Sequence, residues 1–191
     1  MYLFLQAVIP FKEGPQRLED PIYYSPHLRT EVVQKWLQLV EPAEQLLNQV
    51  LQVVHPEMWT ASQQSVELLR RQLRLTLPCW PSVYPAMDVI TNRVTPPHCD
   101  QGGAVSFYDH LVSLGTEHDA NLHLNDLHAQ LAYPPGTSLL FTGKVLMHEV
   151  PKWSVGERWV LTHYAKDDVQ ERLGVARPAL PSQLSWWNKY S

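Results

Sequence analysis

The sequence predicts an α+β chain: a double-stranded β-helix, or jelly roll, supported by helices that precede it. Three observations lead there. Apolar residues recur at helical spacing between residues 30 and 73. From Trp80 onward the chain turns to short runs, partly β-branched or aromatic, cut by Gly, Pro, Asn and Asp. His98, Asp100 and His148 stand within those runs, where a barrel mouth suits a metal and small ligands.

Residues 1–26 have no clear period. Phe11-Lys12-Glu13-Gly14-Pro15 reads as a turn, Pro21 and Pro26 break any helix, and the segment is expected to be an ordered arm with one short strand. Thr30 can cap a helix carrying Val33, Trp36, Leu37, Val40, Leu46, Leu47, Val50 and Val54. A break is expected near Glu41, with Pro42 in the first turn of a second helix. A third helix is expected from Thr60 or Ser62 to Leu73. Arg70, Arg71 and Arg74 near its end suit the helix dipole and are read as a solvated end rather than a phosphate site.

Strands are expected at 84–92, 106–114, 120–124, 128–133, 138–141, 145–150 and 157–165, with Tyr133-Pro134-Pro135-Gly136-Thr137 as a turn. Asp167 to Leu173 reads as a helix closed by Gly174. The tail with Trp186, Trp187 and Tyr190 is expected to pack back on the domain. The whole chain is expected to form one domain, 1–191, with helical support at about 29–77 and the jelly-roll core at about 82–166.

A hydrophobic fraction of 45% with 18% charged residues reads as globular. Two cysteines, Cys79 and Cys99, make no disulfide framework and no CxxC zinc site, which suggests a reducing, intracellular setting. Residues 1–10 lack the basic region and cleavage site of a signal peptide, and no apolar run approaches a membrane span. The net charge of −4 argues against holding nucleic acid by bulk charge alone, but leaves room for a local basic face. A monomer is expected.

The chemistry centres on Asn92-Arg93-Val94-Thr95-Pro96-Pro97-His98-Cys99-Asp100-Gln101-Gly102-Gly103. Side chains alternate along a strand, so His98 and Asp100 can face one way and Cys99 the other. An imidazole and a carboxylate on one face are two of the three ligands of a facial Fe(II) triad, and His148 fits as the third. Ten residues later Arg158 follows a Gly156-Glu157 turn signal. If the two strands form a hairpin, both residues face one cavity, and Arg158 can take a dicarboxylate co-substrate through a bidentate pair. The structural alternative for Arg158 is an ion pair with Glu149 or Glu157. Asn92 can bond the co-substrate or satisfy buried backbone. Tyr108 and Asp109 can line a substrate pocket, and Asp109 can equally fix a turn. His163 is expected to face away from Arg158, and His110 is open between pocket and solvent. The rival cluster His118, Asp119, His123, Asp126 and His128 lacks a His-x-Asp unit with a later Arg and is read as solvated rim.

Several of these pieces resemble the Fe(II)- and 2-oxoglutarate-dependent dioxygenases. More narrowly, the second half resembles the fungal branch of the family containing the ten-eleven translocation (TET) methylcytosine oxygenases and the J-binding-protein (JBP) thymine hydroxylases. The matching pieces include Asn92-Arg93-x-Thr95-Pro96-x-His98-x-Asp100-x-Gly102-Gly103, Tyr108-Asp109-x-Leu111-Val112-Ser113-x-Gly115, Gly143-Lys144-Val145-Leu146-x-His148-x-Val150 and Gly156-Glu157-Arg158. The likeness runs from about Trp80 to Val175. It implies Fe(II), 2-oxoglutarate and O2 as cofactor and co-substrates, with Arg158 on the distal carboxylate. It implies a methylated base in DNA as substrate, foremost 5-methylcytosine with N6-methyladenine next, and a nuclear location. Arg93, Gly103, Tyr108 and Asp109 would then be near the substrate. Two departures stand out. Gly103 occupies the position where some relatives carry a base-contacting Asn, and Cys99 stands where relatives often have Arg. The alternatives are a small-molecule oxygenase on the same scaffold and a binding module without catalysis.

Overall fold

The computed structural model describes residues 2–6, 25–72 and 80–182. Strand β1 (Tyr2–Gln6) is followed by a 3₁₀ turn (Pro26–Arg29), helix α1 (Glu31–Val54) and helix α2 (Pro56–Gln72). Eight strands follow: β2 (Ala86–Thr91), β3 (Thr95–His98), β4 (Asp109–Thr116), β5 (Asn121–Leu124), β6 (Ala129–Ala132), β7 (Ser138–Phe141), β8 (His148–Val150) and β9 (Glu157–Tyr164). The short helix α3 (Asp167–Arg172) comes last. Two antiparallel sheets, β1-β2-β9-β4-β7 and β3-β8-β5-β6, form the jelly roll.

Thr30 caps α1 as expected, its hydroxyl accepting the Val33 N–H at 3.4 Å. The break at Pro42 does not occur, and α1 runs unbroken through it. Pro42 lies on the exposed side, so the carbonyl it leaves without a helical donor can turn to water, while Val33, Leu37, Glu44 and Leu51 hold the other side to the core. Helix α2 starts before Thr60. Pro56 opens it, and the Nδ1 of His55 accepts the Met58 N–H at 3.3 Å, giving the first turn its cap. Leu73, Arg74, Cys79, the turn at Phe11–Pro15 and the aromatic tail lie outside the described residues. Arg71 pairs with Glu67, and Arg70 donates to the Trp80 carbonyl, so both are structural.

The larger sheet has two faces because its strands alternate. On β9, Arg158, Val160, Thr162 and Tyr164 turn into the barrel. Leu161 turns outward and packs with Leu28, Val33, Leu37, Val66, Trp80 and Met87 under the helices. His163 shares that outer face and meets Glu44 of α1, Nε2 to Oε1 at 2.8 Å, both fully buried. Breaking such a pair from one side costs about 3–5 kcal/mol, so it ties the helical layer to the sheet. The barrel interior is filled by Leu111, Leu122, Leu124, Tyr133, Phe141, Val150 and Val160.

β3 is the strand assumed around His98, absent from the run of expected strands above, and it ends at His98, so strand alternation does not reach Asp100. Its Pro96 and Pro97 are exposed and it pairs only with β8, so it occupies a sheet edge, where proline's missing donor costs no ladder bond. β8 and β9 do not form the expected hairpin: β8 lies in the smaller sheet and β9 in the larger. His148 and Arg158 share one cavity because the sheets face each other across it.

Candidate metal and co-substrate site

His98 ends β3 and His148 begins β8, and the two are directly opposite in the antiparallel register. Their ring centroids are 4.2 Å apart. The Nδ1 of each ring lies 2.9 Å from the carbonyl two residues earlier, that of Pro96 and of Leu146 respectively. A carbonyl only accepts, so each Nδ1 carries the proton and each Nε2 presents a lone pair. Both Nε2 atoms face Asp100, at 3.6 Å from Oδ1 for His98 and 3.8 Å from Oδ2 for His148. One donor atom from each of the three lies within 4.8 Å of the others, and no other such group of three occurs among the described residues. Burial lowers the pKa of His148, against weaker opposition from the Leu146 carbonyl and Asp100. The ring is thus kept neutral, the form a metal needs. Two imidazoles and a carboxylate with free lone pairs fit a divalent first-row ion such as Fe(II).

Asp100 lies past the end of β3. Its N–H donates to the Gly143 carbonyl at 2.9 Å, and the Gly143 N–H donates to Asp109 Oδ2 at 3.1 Å. A Cβ at Gly143 would overlap the carboxylates of both Asp100 and Asp109. Burial, and next the charge of Asp100, push the Asp109 carboxyl well above the usual range, opposed by the Gly143 N–H.

A cavity of about 380 Å³ opens beside the triad. Arg158 lines it and is 3% exposed. Its Nη1 donates to the Arg93 carbonyl at 3.0 Å, and its guanidinium carbon lies 5.7 Å from the ring centroids of Tyr133 and Trp153. Its Nε is buried without a hydrogen-bond partner, and no carboxylate pairs with it among the described residues. The ion pairs weighed for it are absent: Glu149 accepts from Asn125 and neighbours His123 instead. A permanent cation kept dry with a spare donor on a cavity wall is suited to an incoming carboxylate.

Arg93, Gly103 and Asp109 line the same cavity. Asn92 is not on its wall. In the left-handed region at φ 45°, it donates N–H to the Arg158 carbonyl at 2.7 Å and accepts the Arg158 N–H on Oδ1 at 2.9 Å. Asn92 therefore clamps the Arg158 backbone. Tyr108 lies away from the cavity: its N–H points at the Met58 sulfur, its carbonyl accepts from Tyr84, and its ring is edge-on to His55. His110 is buried under the sheet, with Nε2 2.6 Å from Ser138 Oγ. The rival cluster disperses, and His118 is not rim at all. It is buried, with Nε2 3.1 Å from both Ser113 Oγ and the Leu114 carbonyl. Asp119 holds Ser154, and Asp126 accepts the Met147 N–H at 2.7 Å.

Asp88, Tyr164 and Lys166 are among the cavity residues that were not anticipated. Counting in twos from Arg158 along β9 reaches Tyr164, which accounts for one of them. Asp88 accepts from the Tyr164 hydroxyl at 3.2 Å, and burial lowers the pKa of Lys166, with Asp168 and then Asp88 opposing.

A double-sheeted barrel, helices on one face and a His-Asp-His cluster facing a dry arginine together define the metal-dependent oxygenase class of jelly rolls. The family follows from the sequence: residues 16–167 match the Tet_JBP model, the oxygenase domain of the 2OGFeDO superfamily, and the chain belongs to that family of Fe(II)- and 2-oxoglutarate-dependent dioxygenases. Among solved structures it is similar to NgTET1 in complex with 5mC DNA, at 19% identity and a TM-score of 0.58. That alignment covers 78% of this chain and 57% of the other, so the chain spans little more than half the length of that relative. Two cupin proteins align over smaller parts. An RmlC-like cupin from Desulfovibrio desulfuricans has 16% identity and a TM-score of 0.32, over 42% of this chain and 72% of its own. A Cupin 2 conserved barrel protein from Salinispora arenicola has 12% identity and a TM-score of 0.33, over 47% and 69%. No curated protein matches the sequence.

Proposed function

We propose that this chain oxidises a methylated base in DNA, with 5-methylcytosine first and N6-methyladenine second among the candidates. His98, Asp100 and His148 would hold Fe(II), and Arg158 would anchor the distal carboxylate of 2-oxoglutarate. The chemistry of such a centre is the O2-dependent oxidation of a substrate C–H bond, coupled to conversion of 2-oxoglutarate to succinate and CO2. The protein's part is to position and to exclude water. Main-chain carbonyls hold both imidazoles in the ligating tautomer, Gly143 leaves room for the Asp100 carboxylate, and Asn92 with the Arg93 carbonyl aims Arg158. The observation that carries the reading is Arg158, a buried cation without a carboxylate partner, on the same cavity as three converging metal donors.

The DNA substrate is supported by family membership and by the fold shared with NgTET1 in its 5mC DNA complex. A base in a duplex would have to be flipped to reach the triad. Lys166, Tyr164 and Asp88 line the cavity and offer a cation, an aromatic ring and an acceptor to a flipped base. A nuclear location belongs to the same proposal. The test is incubation with duplexes carrying either methylated base, Fe(II) and 2-oxoglutarate, read by nucleoside mass spectrometry. Iron-loaded protein that turns over 2-oxoglutarate yet leaves both bases unchanged would exclude the DNA reading.

The second reading is a small-molecule oxygenase. It is favoured by the net charge of −4 and by Gly103, which puts no side chain on the wall where some relatives read the base. It requires 2-oxoglutarate turnover with a metabolite and no salt-dependent DNA binding.

A further inference from the structure

Of the three clustered donors, Asp100 alone lies outside a strand. His98 ends β3 and His148 begins β8, whereas Asp100 lies two residues past the end of β3. Its backbone is held by the turn that follows β7, where the Gly143 carbonyl accepts the Asp100 N–H at 2.9 Å. Three residues on, the Leu146 carbonyl lies 2.9 Å from His148 Nδ1 and sets the tautomer of that ring. The Val145 and Leu146 N–H groups close the turn by donating to the Thr142 carbonyl at 3.2 and 3.1 Å. Lys144 ties it to the Asp100 loop, its Nζ donating to the Gln101 carbonyl at 3.0 Å. One short turn thus sets both the backbone of Asp100 and the imidazole of His148.

Asp109 anchors that turn. It opens β4 opposite Phe141, the last residue of β7, and its side chain turns into the barrel with that of Leu111. Its Oδ2 accepts the Gly143 N–H at 3.1 Å. Both peptide groups that flank the Gly143 Cα are therefore fixed, one by Asp109 and the other by Asp100. The two carboxylates crowd the same face of Gly143, where a Cβ would meet both. Asp109 is 7% exposed, and no cation pairs with it among the described residues. A buried carboxyl costs free energy unless hydrogen bonds offset it, and here the offsetting donor belongs to the turn that carries the metal donors.

We propose that Asp109 is a positioning residue of the metal centre: by holding Gly143 it holds Asp100 and the carbonyl that orients His148. The inference rests on the reading of His98, Asp100 and His148 as metal donors, and it gives Asp109 a task on the metal side of the cavity in place of a contact to substrate. A donor must be kept within about 0.5 Å of its productive place, and Asp100 has no strand ladder to keep it there.

The test is isothermal titration of the full chain with Mn(II), beside the melting temperature of the metal-free protein. Asp109→Leu keeps the branched shape and removes the acceptor, and it should lower Mn(II) affinity by about 10- to 100-fold. Asp109→Asn keeps an oxygen that can accept the Gly143 N–H and should bind Mn(II) close to wild type. A Leu variant with wild-type affinity overturns the proposal and returns Asp109 to the substrate side. Equal losses in the Leu and Asn variants overturn it as well, because the bond to Gly143 would not be what Asp109 supplies. If Asp109→Leu does not fold, Asp109→Ala replaces it, and failure of both to fold makes Asp109 a support of the barrel and ends the assignment. His98→Ala is the control. Wild type that binds no Mn(II), or His98→Ala that binds it undiminished, removes the triad itself. Binding that is lost in His98→Ala and kept in Asp109→Leu removes this inference alone.

Discussion

His98 and His148 face each other across the β3–β8 pair, each with Nδ1 turned back to the carbonyl two residues before it and Nε2 turned to Asp100. The pairing fixes ring separation and tautomer before any metal arrives, so little reorganisation is needed on binding. His98→Ala or Asp100→Ala should abolish binding of Fe(II), or of Mn(II) as its stand-in. Both residues are partly exposed at the cavity mouth, so the melting temperature of the metal-free protein should change little. Isothermal titration decides, and undiminished affinity in both variants would remove the triad.

Gly143 gives a test that touches no donor. Any Cβ there collides with the carboxylates of Asp100 and Asp109 at once. Gly143→Ala should therefore displace Asp100 and lower metal affinity by about 10- to 100-fold, as disturbed support of a ligand does. Retention of wild-type Mn(II) affinity would mean that the loop yields and that this contact does not position Asp100.

The buried histidines make stability fall with acid. Burial, with the neighbouring His163, lowers the pKa of His110 from 6.5 to about 3. Between those values the unfolded chain binds a proton that the folded chain does not, so stability drops as pH falls below about 6.5, by about 1.4 kcal/mol per pH unit from this residue. His55 and His148 are shifted the same way, chiefly by burial. Urea titrations at pH 6.5 and 5.0 should show a smaller loss for His110→Gln than for wild type, whatever the variant's absolute stability. Equal losses would show that His110 is not kept neutral.

The convergence of His98, Asp100 and His148, with Arg158 on the same cavity, was legible in residue type and spacing. The period of two along β9 also carries Tyr164 and sends His163 outward to Glu44. What stayed illegible depends on which surface faces which. The His148–Arg158 relation looked like a hairpin but is a meeting of two sheets, since a ten-residue separation does not say that the chain changes sheet. Pro42 looked like a boundary because propensity is local, and tertiary packing of Leu37 and Leu51 carries α1 across it. His118 looked like rim among polar neighbours, but its hydrogen bonds to Ser113 and the Leu114 carbonyl bury it. Asp88 and Lys166 have no motif, and only the closed barrel brings them to the triad's cavity.

Arg158 offers the sharpest separation between metal and co-substrate. Its guanidinium is dry, held through the Arg93 carbonyl on one nitrogen and left with an unpartnered Nε, so the cavity side has donors to give. Arg158→Lys keeps a charge and loses the planar two-pronged donor. It also loses the bond to the Arg93 carbonyl and the packing against Tyr133 and Trp153, which places the remaining ammonium less firmly. Loss of a charge-assisted bidentate contact costs on the order of 2–3 kcal/mol, or roughly thirty- to two-hundred-fold in 2-oxoglutarate affinity. Metal affinity should hold, because Arg158 is not one of the three clustered donors. The measurement is the apparent KM for 2-oxoglutarate beside Mn(II) affinity in the Lys and Ala variants. A Lys variant with normal 2-oxoglutarate dependence would make Arg158 structural. Arg93, which lines the same cavity, would then be the next cation to substitute.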